Sequence, residues 1–177
     1  MRIDLIDLRR FGRFEQHVID LTGDAGMHVL MGGNEAGKTT TLDSITYALF
    51  GMPQGRSSEN QYGFRFPLPS LRAGLRVRHE DGRVLHFLRK RGQKQTLLDA
   101  DTDQPSVELE TGLEAVLGGI TKDAWRARHG LSQATLRSGA EAILASKGDA
   151  GDALFAAATG ITVVRTVLEE VRSRRQE

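Results

Sequence analysis

Residues 30–51, "LMGGNEAGKTTTLDSITYALFG", hold a glycine-rich segment that leads directly into a helix-like stretch. Gly32, Gly37, Lys38 and Thr39 stand at the spacing G-x-x-x-x-G-K-S/T, which is typical of a phosphate-binding loop. The backbone N–H groups of such a loop surround phosphate oxygens, and a Cβ at either glycine would strain the turn or hold the phosphate away. This stretch therefore predicts a binding site for a nucleoside triphosphate.

The side chains around the loop fit the same chemistry. Gly33 should loosen the turn further, Lys38 would bring a positive charge to the β and γ phosphates, and Thr39 would offer a hydroxyl to Mg²⁺. The following helix would point the positive end of its dipole at the anion. A phosphate loop also requires a strand before it and a helix after it. "MHVLM" (27–31) predicts a short buried strand, and Leu42, Ile45 and Leu49, spaced i, i+3 and i+7, predict one buried helical face.

Length and composition predict a globular protein with a single main domain. The 177 residues are 39% apolar, which is enough to fill a core. The net charge of +1 argues against a uniformly basic nucleic-acid-binding protein, and the absence of cysteine excludes disulfides and thiolate metal sites. No apolar run has the length of a membrane span, and the N-terminus lacks the pattern of a signal peptide, so we expect a cytoplasmic protein.

Strand patterns flank the phosphate loop on both sides. Residues 2–8 and 17–21 predict two strands joined by a turn at Gly12. Residues 52–69 contain three of the four prolines and predict a long excursion. Apolar residues alternate with basic or small residues over positions 71–78. Residues 71–98 therefore predict an antiparallel meander with one solvated face and a tight turn at Asp81 and Gly82.

The last third of the chain is predominantly helical in pattern. Residues 111–119 predict a short helix ending at two glycines, and residues 121–136 predict a strand-like connection into a helical start at Ser132. Residues 149–161 predict an alanine-rich helix. From residue 161 the apolar residues alternate spacings of three and four, which is how a coiled coil begins, although a lone amphipathic surface helix fits the same pattern.

The chain resembles the N-terminal half of the ATPase head of SMC-type DNA-repair and chromosome-maintenance ATPases, in particular the bacterial SbcC and YhaN-like branch. The resemblance rests on "RRFGRF" (9–14), on "GGNEAGKTTTLDSITYALFG" (32–51) and, more weakly, on residues 130–161. It implies an α/β fold of the P-loop NTPase class, namely the N-terminal lobe of an ABC-type ATPase head over residues 1–160. An antiparallel β meander and the start of a coiled coil over residues 161–177 would accompany this lobe.

The resemblance also implies roles for individual residues. The loop residues Gly32, Gly33, Asn34, Glu35, Ala36 and Gly37 would hold ATP, with Asn34 facing the partner head. Lys38 would act on the β and γ phosphates, Thr39 would ligate Mg²⁺ and Thr40 would bind the α phosphate. Gln133 would reach Mg²⁺ and the attacking water, although a polar residue at a helix start is an equally good interpretation. Arg13 is a candidate for approaching the nucleotide, but it stands one position later than the family arginine.

Two motifs that ABC-type hydrolysis needs do not occur in this sequence. Four apolar residues followed by Asp-Glu would hold Mg²⁺ and orient water, and Leu-Ser-Gly-Gly would close the partner's site. The resemblance implies that a C-terminal half of the same head supplies them, and that a second head forms a homodimer. The alternatives are a small kinase or GTPase and a non-catalytic module switched by nucleotide. "TKDA" (121–124) places its Asp too early for a GTPase base-reading motif, while Arg56 and Arg65 suit a kinase lid.

The meander predicts a second surface. Eight basic residues lie between positions 72 and 94, where the only acidic residues are Glu80 and Asp81. This excess of positive charge suits DNA phosphates, although an ordinary solvated sheet face has the same composition. DNA and an SbcD-type nuclease are therefore the expected partners, with a nucleoid-associated location. Trp125 is expected in the core.

Overall fold

The computed structural model describes residues 1–23, 26–54, 62–130 and 136–137. The chain divides into two compact units, Met1–Ile120 and Thr121–Glu177. The first unit contains the sheet, the phosphate loop and two α-helices, and the second contains one described α-helix. None of the helices in the described ranges has the length and apolarity to cross a membrane.

The first unit is built on a five-stranded antiparallel sheet. Its strands are β1 (Arg2–Phe11), β2 (Phe14–Asp20), β3 (Arg72–Arg78), β4 (Val84–Lys90) and β5 (Leu97–Asp99). They lie in the order β2-β1-β3-β4-β5, and every neighbouring pair is antiparallel. The two N-terminal strands and the antiparallel meander are therefore confirmed, with β1 and β2 longer than the pattern indicated.

Tight turns join β1 to β2 and β3 to β4. Gly12, at φ 59, turns the chain between β1 and β2. Between β3 and β4, Gly82 takes φ 88, and His79 N–H donates to the Arg83 carbonyl at 2.8 Å. Both turns need the left-handed backbone region that glycine occupies without a Cβ penalty, so the two predicted turn positions are confirmed.

One face of the sheet packs against helix α1 (Lys38–Phe50). The alternation in β3 is clear, because Ala73, Leu75 and Val77 are fully buried. Phe11 extends this core with an edge-on contact to Tyr47 of α1, at 5.9 Å between ring centroids. Other buried residues of this unit include Ile6, Leu8, Phe87 and Leu97.

The buried face of α1 differs from the predicted one. Leu49 is buried as expected, but Leu42 and Ile45 are only half-buried, and Thr41 and Ser44 are buried instead. Their hydroxyls donate to the helix's own carbonyls, at 3.0 Å from Thr41 Oγ1 to Gly37 and 2.6 Å from Ser44 Oγ to Thr41. Short polar side chains that satisfy themselves in this way can lie against a sheet without an unpaired donor.

The predicted buried strand over residues 27–31 is wrong for this structure. The segment forms no strand, and Met27, Val29 and Met31 expose 78%, 70% and 90% of their surface. A strand requires a neighbouring strand to satisfy its backbone groups. None of the five strands in the described ranges pairs with this segment, so its apolar pattern has nothing to pack against.

Two further helices follow the sheet. Helix α2 (Val107–Leu117) is capped by the Ser106 side chain and ends at Gly118, in the left-handed conformation, which confirms the predicted helix with an earlier start. Helix α3 (Lys122–His129) corrects the strand-like connection that was expected over residues 121–136. Thr121 caps it by accepting from Ala124 N–H at 3.2 Å, which is the N-cap signal that the strand interpretation overlooked. Trp125 is buried, as predicted, but on a helix.

The remaining predictions fall outside the described residues. They concern residues 55–61 of the long excursion, Gln133, the alanine-rich helix over residues 149–161 and the coiled-coil start over residues 161–177. They stay predictions.

Candidate nucleotide-binding site

The phosphate loop joins the exposed segment 27–31 to the first residue of α1. Two of its glycines are required by close approach. A Cβ on Gly32 would lie 2.8 Å from the Ala36 Cβ, and a Cβ on Gly37 would lie 2.4 Å from the Phe14 ring. Gly37 also has φ 102, a conformation that residues with a Cβ rarely adopt. The motif glycines therefore permit a loop that no larger residue could form without displacement.

Lys38 turns back into the loop. Its ammonium donates to the carbonyl oxygens of Gly32 and Gly33, each at 2.7 Å. The lysine is exposed, so these bonds hold it at the surface beneath the turn. This places a positive charge within the curve of residues 32–37, which is where an anion held by the loop's N–H groups would sit.

The electrostatics of the helix start favour an anion. Lys38 is the first residue of α1, where the helix dipole is positive, and the first turn contains no acidic residue. The positive charge at this end is therefore uncompensated within the helix's first turn. Thr39 is exposed beside it, and Thr40 is half-buried. A phosphate group with a hard cation on the Thr39 hydroxyl fits this set of donors and acceptors.

The tip of the β1–β2 hairpin supports the phosphate loop through three neighbouring residues. Gly12 lies so close to α1 that an added Cβ would meet Thr40 Cγ2 at 2.8 Å. Arg13 donates from its guanidinium to the Glu35 carbonyl, and the Phe14 ring packs over Gly37. The sequence indicated Arg13 as a candidate and Gly12 only as a turn. It gave no signal for Phe14 or for the approach of Gly12 to α1, because a contact between a hairpin and a distant segment has no local pattern.

A second arginine fixes this hairpin tip. Arg65 donates to the Arg13 carbonyl at 2.7 Å and to Glu15 Oε2 at 2.8 Å. Phe14 also stacks on His17, at 5.1 Å between ring centroids. Arg65, which the sequence suggested for a kinase lid, therefore stabilises the hairpin tip. Because Arg13 of this tip bonds to the Glu35 carbonyl, Arg65 also supports the phosphate loop indirectly.

A comparison with known families identifies the fold of this site. The sequence profile of the family described as "AAA domain" matches residues 1–177. The chain belongs to this AAA domain family. The family is one of P-loop NTPases, so the nucleotide-binding class predicted from the loop is confirmed.

Two relatives place the AAA domain more narrowly. It is 26% identical over 120 residues to the SbcC component of the nuclease SbcCD of Lactococcus lactis, an alignment that covers 62% of this chain and 12% of the relative. It is 27% identical over 127 residues to the uncharacterized protein YhaN of Bacillus subtilis, which covers 72% of this chain and 12% of the relative. The predicted likeness to the N-terminal portion of SbcC- and YhaN-like proteins is thus confirmed. The chain matches about an eighth of the length of each relative.

The structure brings together the predicted loop residues, Lys38, Thr39, Thr40 and Arg13, all within the first unit. Their binding roles remain predictions. Gln133 lies outside the described residues, so its expected contact with Mg²⁺ stays a prediction as well.

The basic meander needs a correction at two arginines. Arg89 lies on the α1 side of the sheet and donates to the carbonyls of Ala48 and Leu49, at 3.0 and 3.1 Å. Burial lowers the pKa of Arg89 to about 10, which leaves it charged at neutral pH. Arg91 donates to the carbonyls of Pro53 and Gln54. Both guanidinium groups secure the C-terminal end of α1 and the chain after it, and so they serve the fold.

Four other basic residues of the meander do face outward. Arg72, Arg76 and Arg78 alternate with the buried residues of β3. Lys90 is the cross-strand partner of Arg72, and cross-strand partners share a face. The outer face is therefore basic, as predicted, but with a smaller set of residues.

Proposed function

We propose that this chain is the ATP-binding part of an SMC-type, ABC-like ATPase head, over residues 1–160, which a C-terminal half of the same head completes. The observation that carries the proposal is the phosphate loop, where Lys38 and the positive end of α1 meet without an acidic residue in the helix's first turn. Such a site binds the phosphates of a nucleotide.

Each loop residue would have a defined task. The backbone of residues 32–37 would hold the β and γ phosphates, Lys38 would neutralise their charge, and Thr40 would contact the α phosphate. The Thr39 hydroxyl would be a ligand of Mg²⁺, an ion that withdraws charge from the phosphate oxygens when bound. Arg13, held against the loop through the Glu35 carbonyl, would approach the nucleotide from the hairpin.

The chain alone would bind ATP with little turnover. Phosphoryl transfer depends on positioning and on charge stabilisation, and the sequence lacks the Asp-Glu pair that would hold Mg²⁺ and orient the attacking water. Gln133 would contribute to that site after closure. The missing groups would come from the C-terminal half and from the signature segment of a second head.

The exposed segment 27–31 supports completion by another part of the head. Its apolar side chains and the half-buried Leu42 and Ile45 of α1 lie on either side of the phosphate loop in sequence. A strand from the C-terminal half would pair with residues 27–31 and cover this apolar surface. Residues 161–177 would begin the coiled coil that connects the two halves.

The proposed head would act on DNA in repair or chromosome maintenance. The basic outer face of the meander supports this role, since clustered arginines suit the phosphate backbone. An SbcD-type nuclease is the proposed protein partner, in line with the name of the Lactococcus relative. A cytoplasmic, nucleoid-associated location belongs to the same proposal.

The test is phosphate release by residues 1–177 with and without the rest of the head, together with ATP binding by titration calorimetry. We expect Mg²⁺-dependent ATP binding by the short chain, negligible turnover, and Lys38-dependent hydrolysis once the C-terminal half is added. Lys38→Ala should abolish activity in the assembled head, while Gln133→Ala should slow turnover and leave binding largely intact. Robust Lys38-dependent turnover by the short chain alone would instead indicate a small kinase-like enzyme.

A further inference from the structure

A groove of about 470 Å³ lies on the outer face of the sheet, where neither the phosphate loop nor α1 reaches it. Ala73 is the cross-strand partner of Arg89, which contacts α1, so Arg72 points to the opposite face. The described residues that line the groove are Asp7, Arg9, Arg10, Gln16, Val18, Arg72 and Asp103.

A β-bulge shapes this groove. Asp7 pairs with Gly74 and Arg10 pairs with Arg72, so three steps along β1 oppose two along β3. The bulge directs Arg9 back toward Asp7, and its Nε donates to Asp7 Oδ2 at 3.1 Å. Gln16 of β2 lines the same groove and has φ 49, in the left-handed region. Bulges and backbone strain of this kind concentrate at binding sites, where they re-aim side chains.

Asp7 gives the groove an unused hydrogen-bond acceptor. Its residue surface is 5% exposed, and among the residues that the structure describes its Oδ1 atom has no hydrogen-bond partner. A buried carboxylate oxygen without a donor is costly, so such atoms in folded proteins usually have a partner. Arg9 already serves Oδ2 and also donates to the Ala100 carbonyl at 2.6 Å. An N–H group of a ligand would satisfy the remaining oxygen.

Arg10 gives the groove a cation that has no ion-pair partner within the described ranges. Arg9 is paired with Asp7, and Arg72 is paired with Asp103 at 3.1 Å. Arg10 is exposed, and none of the described carboxylates forms an ion pair with it. The groove therefore has one positive charge in excess at its rim and one acceptor at its base. Arg76 and Lys90 extend the positive charge across the same outer face.

We propose that this groove binds one nucleotide unit, with a phosphate on Arg10 and an amino group of the base on Asp7 Oδ1. Acidic side chains accept hydrogen bonds from the exocyclic amino group of cytosine, a group that thymine lacks. The exposed side chain of Val18 offers an apolar surface to the ring. The basic outer face favours a nucleic-acid strand over a peptide as the ligand. This choice of nucleic acid is the only step that rests on the proposed function in DNA handling.

The test compares short oligodeoxycytidylate and oligothymidylate of equal length by fluorescence anisotropy, with the full chain and without ATP. We expect the cytosine strand to bind about tenfold more tightly, the effect of one specific base contact. Asp7→Asn should remove this preference. Arg10→Ala should weaken both strands equally and flatten the salt dependence. Arg83→Ala is the matched control, since Arg83 is paired with Asp81 and does not line the groove.

Competition with free deoxycytidylate distinguishes the two sources of this ligand. If free nucleotide displaces the labelled strand at concentrations similar to those of an unlabelled strand, the groove is assigned to a small molecule. If only strands displace it, the groove is assigned to nucleic acid. Lys38→Ala should remove ATP binding and keep the cytosine preference, so failure of the proposed ATP function leaves this test intact. Equal binding of both strands by the wild-type chain, or equal behaviour of Arg10→Ala and Arg83→Ala, would overturn the proposal.

Discussion

The guanidinium Nε of Arg89 lies 3.0 Å from the carbonyl oxygen of Ala48, so that a strand side chain serves the last turn of a helix. The last four carbonyls of a helix have no partner within it, and α1 has no basic residue of its own in that turn. Arg89 supplies both the donors and the charge, and it also donates to Thr96 Oγ1 at 2.9 Å.

Replacement of Arg89 should therefore destabilise the fold. Arg89→Met keeps the apolar stem and removes the donors, and we expect a loss of about 3 kcal/mol in the free energy of unfolding because buried carbonyls lose a charged partner. Urea denaturation measures it. Lys90→Met, on the outer face of the same strand, should change stability by less than about 0.5 kcal/mol. Equal effects of the two substitutions would contradict the assigned role of Arg89.

Gly37→Ala should destabilise the phosphate loop. The added Cβ would lie 2.4 Å from the Phe14 ring at a backbone φ of 102, so both sterics and conformation oppose it. We expect a loss of roughly 1–3 kcal/mol in unfolding free energy and weaker ATP binding. Gly33→Ala is the matched control for stability, because no heavy atom of the described part of the chain lies within 4 Å of its added Cβ. Phe14→Ala combined with Gly37→Ala should restore only part of the loss, since the backbone strain remains.

The exposed segment 27–31 should make the isolated chain self-associate. Val29→Thr combined with Met31→Thr removes apolar surface that is 70% and 90% exposed, and should shift the distribution in sedimentation velocity toward monomer. Val84→Thr provides the comparison, since Val84 is an exposed apolar residue at the start of β4. A wild-type chain that stays monomeric at high concentration would count against the proposed missing strand partner.

Charge reversal on the outer face should weaken DNA binding. Arg76→Glu combined with Lys90→Glu should lower affinity for duplex DNA and reduce the slope of log K against log salt by about two, one for each lost phosphate contact. Arg83→Glu, in the β3–β4 turn, tests whether any loss of positive charge has this effect. An unchanged salt slope in the double variant would exclude this face as the DNA contact.

The β3–β4 turn should depend on pH through Asp81. Hydrogen bonds from the Arg83 backbone N–H and side chain lower the pKa of Asp81 to about 2. Because the folded pKa lies below the unfolded value of 3.8, the stabilisation is complete above pH 3.8 and is lost as pH falls toward 2. The difference in melting temperature between wild type and Asp81→Asn should therefore shrink between pH 5 and pH 2. A constant difference in melting temperature would show that the charge of Asp81 does not contribute to the stability of the turn.

Local chemistry made much of the fold predictable. The turns at Gly12 and Gly82 have backbone requirements that glycine meets by itself, and the alternation in β3 records one buried face directly. The phosphate loop was predictable for the same reason, since its motif residues are close neighbours in sequence and the approach of Gly32 to Ala36 lies within the motif.

The predictions that failed concern features that depend on residues far apart in sequence. Residues 27–31 have the composition of a buried strand, but composition does not supply the neighbouring strand. Arg89 belongs to a run of basic residues that suggests a DNA surface. Successive residues of a strand point to opposite faces of the sheet, however, and Arg89 is on the face that packs against α1. The groove at Asp7 was not foreseen, because a β-bulge depends on the register between β1 and β3.

The position of residues 27–31, immediately before the phosphate loop, has a thermodynamic consequence. A partner that docks on this segment would also restrain one end of the turn that holds Lys38, so the entropy cost of that restraint would be shared between two binding events. A partner that docks on residues 27–31 would then raise nucleotide affinity, and nucleotide would raise affinity for that partner by the same factor. The same coupling free energy would therefore link assembly of the head to nucleotide binding.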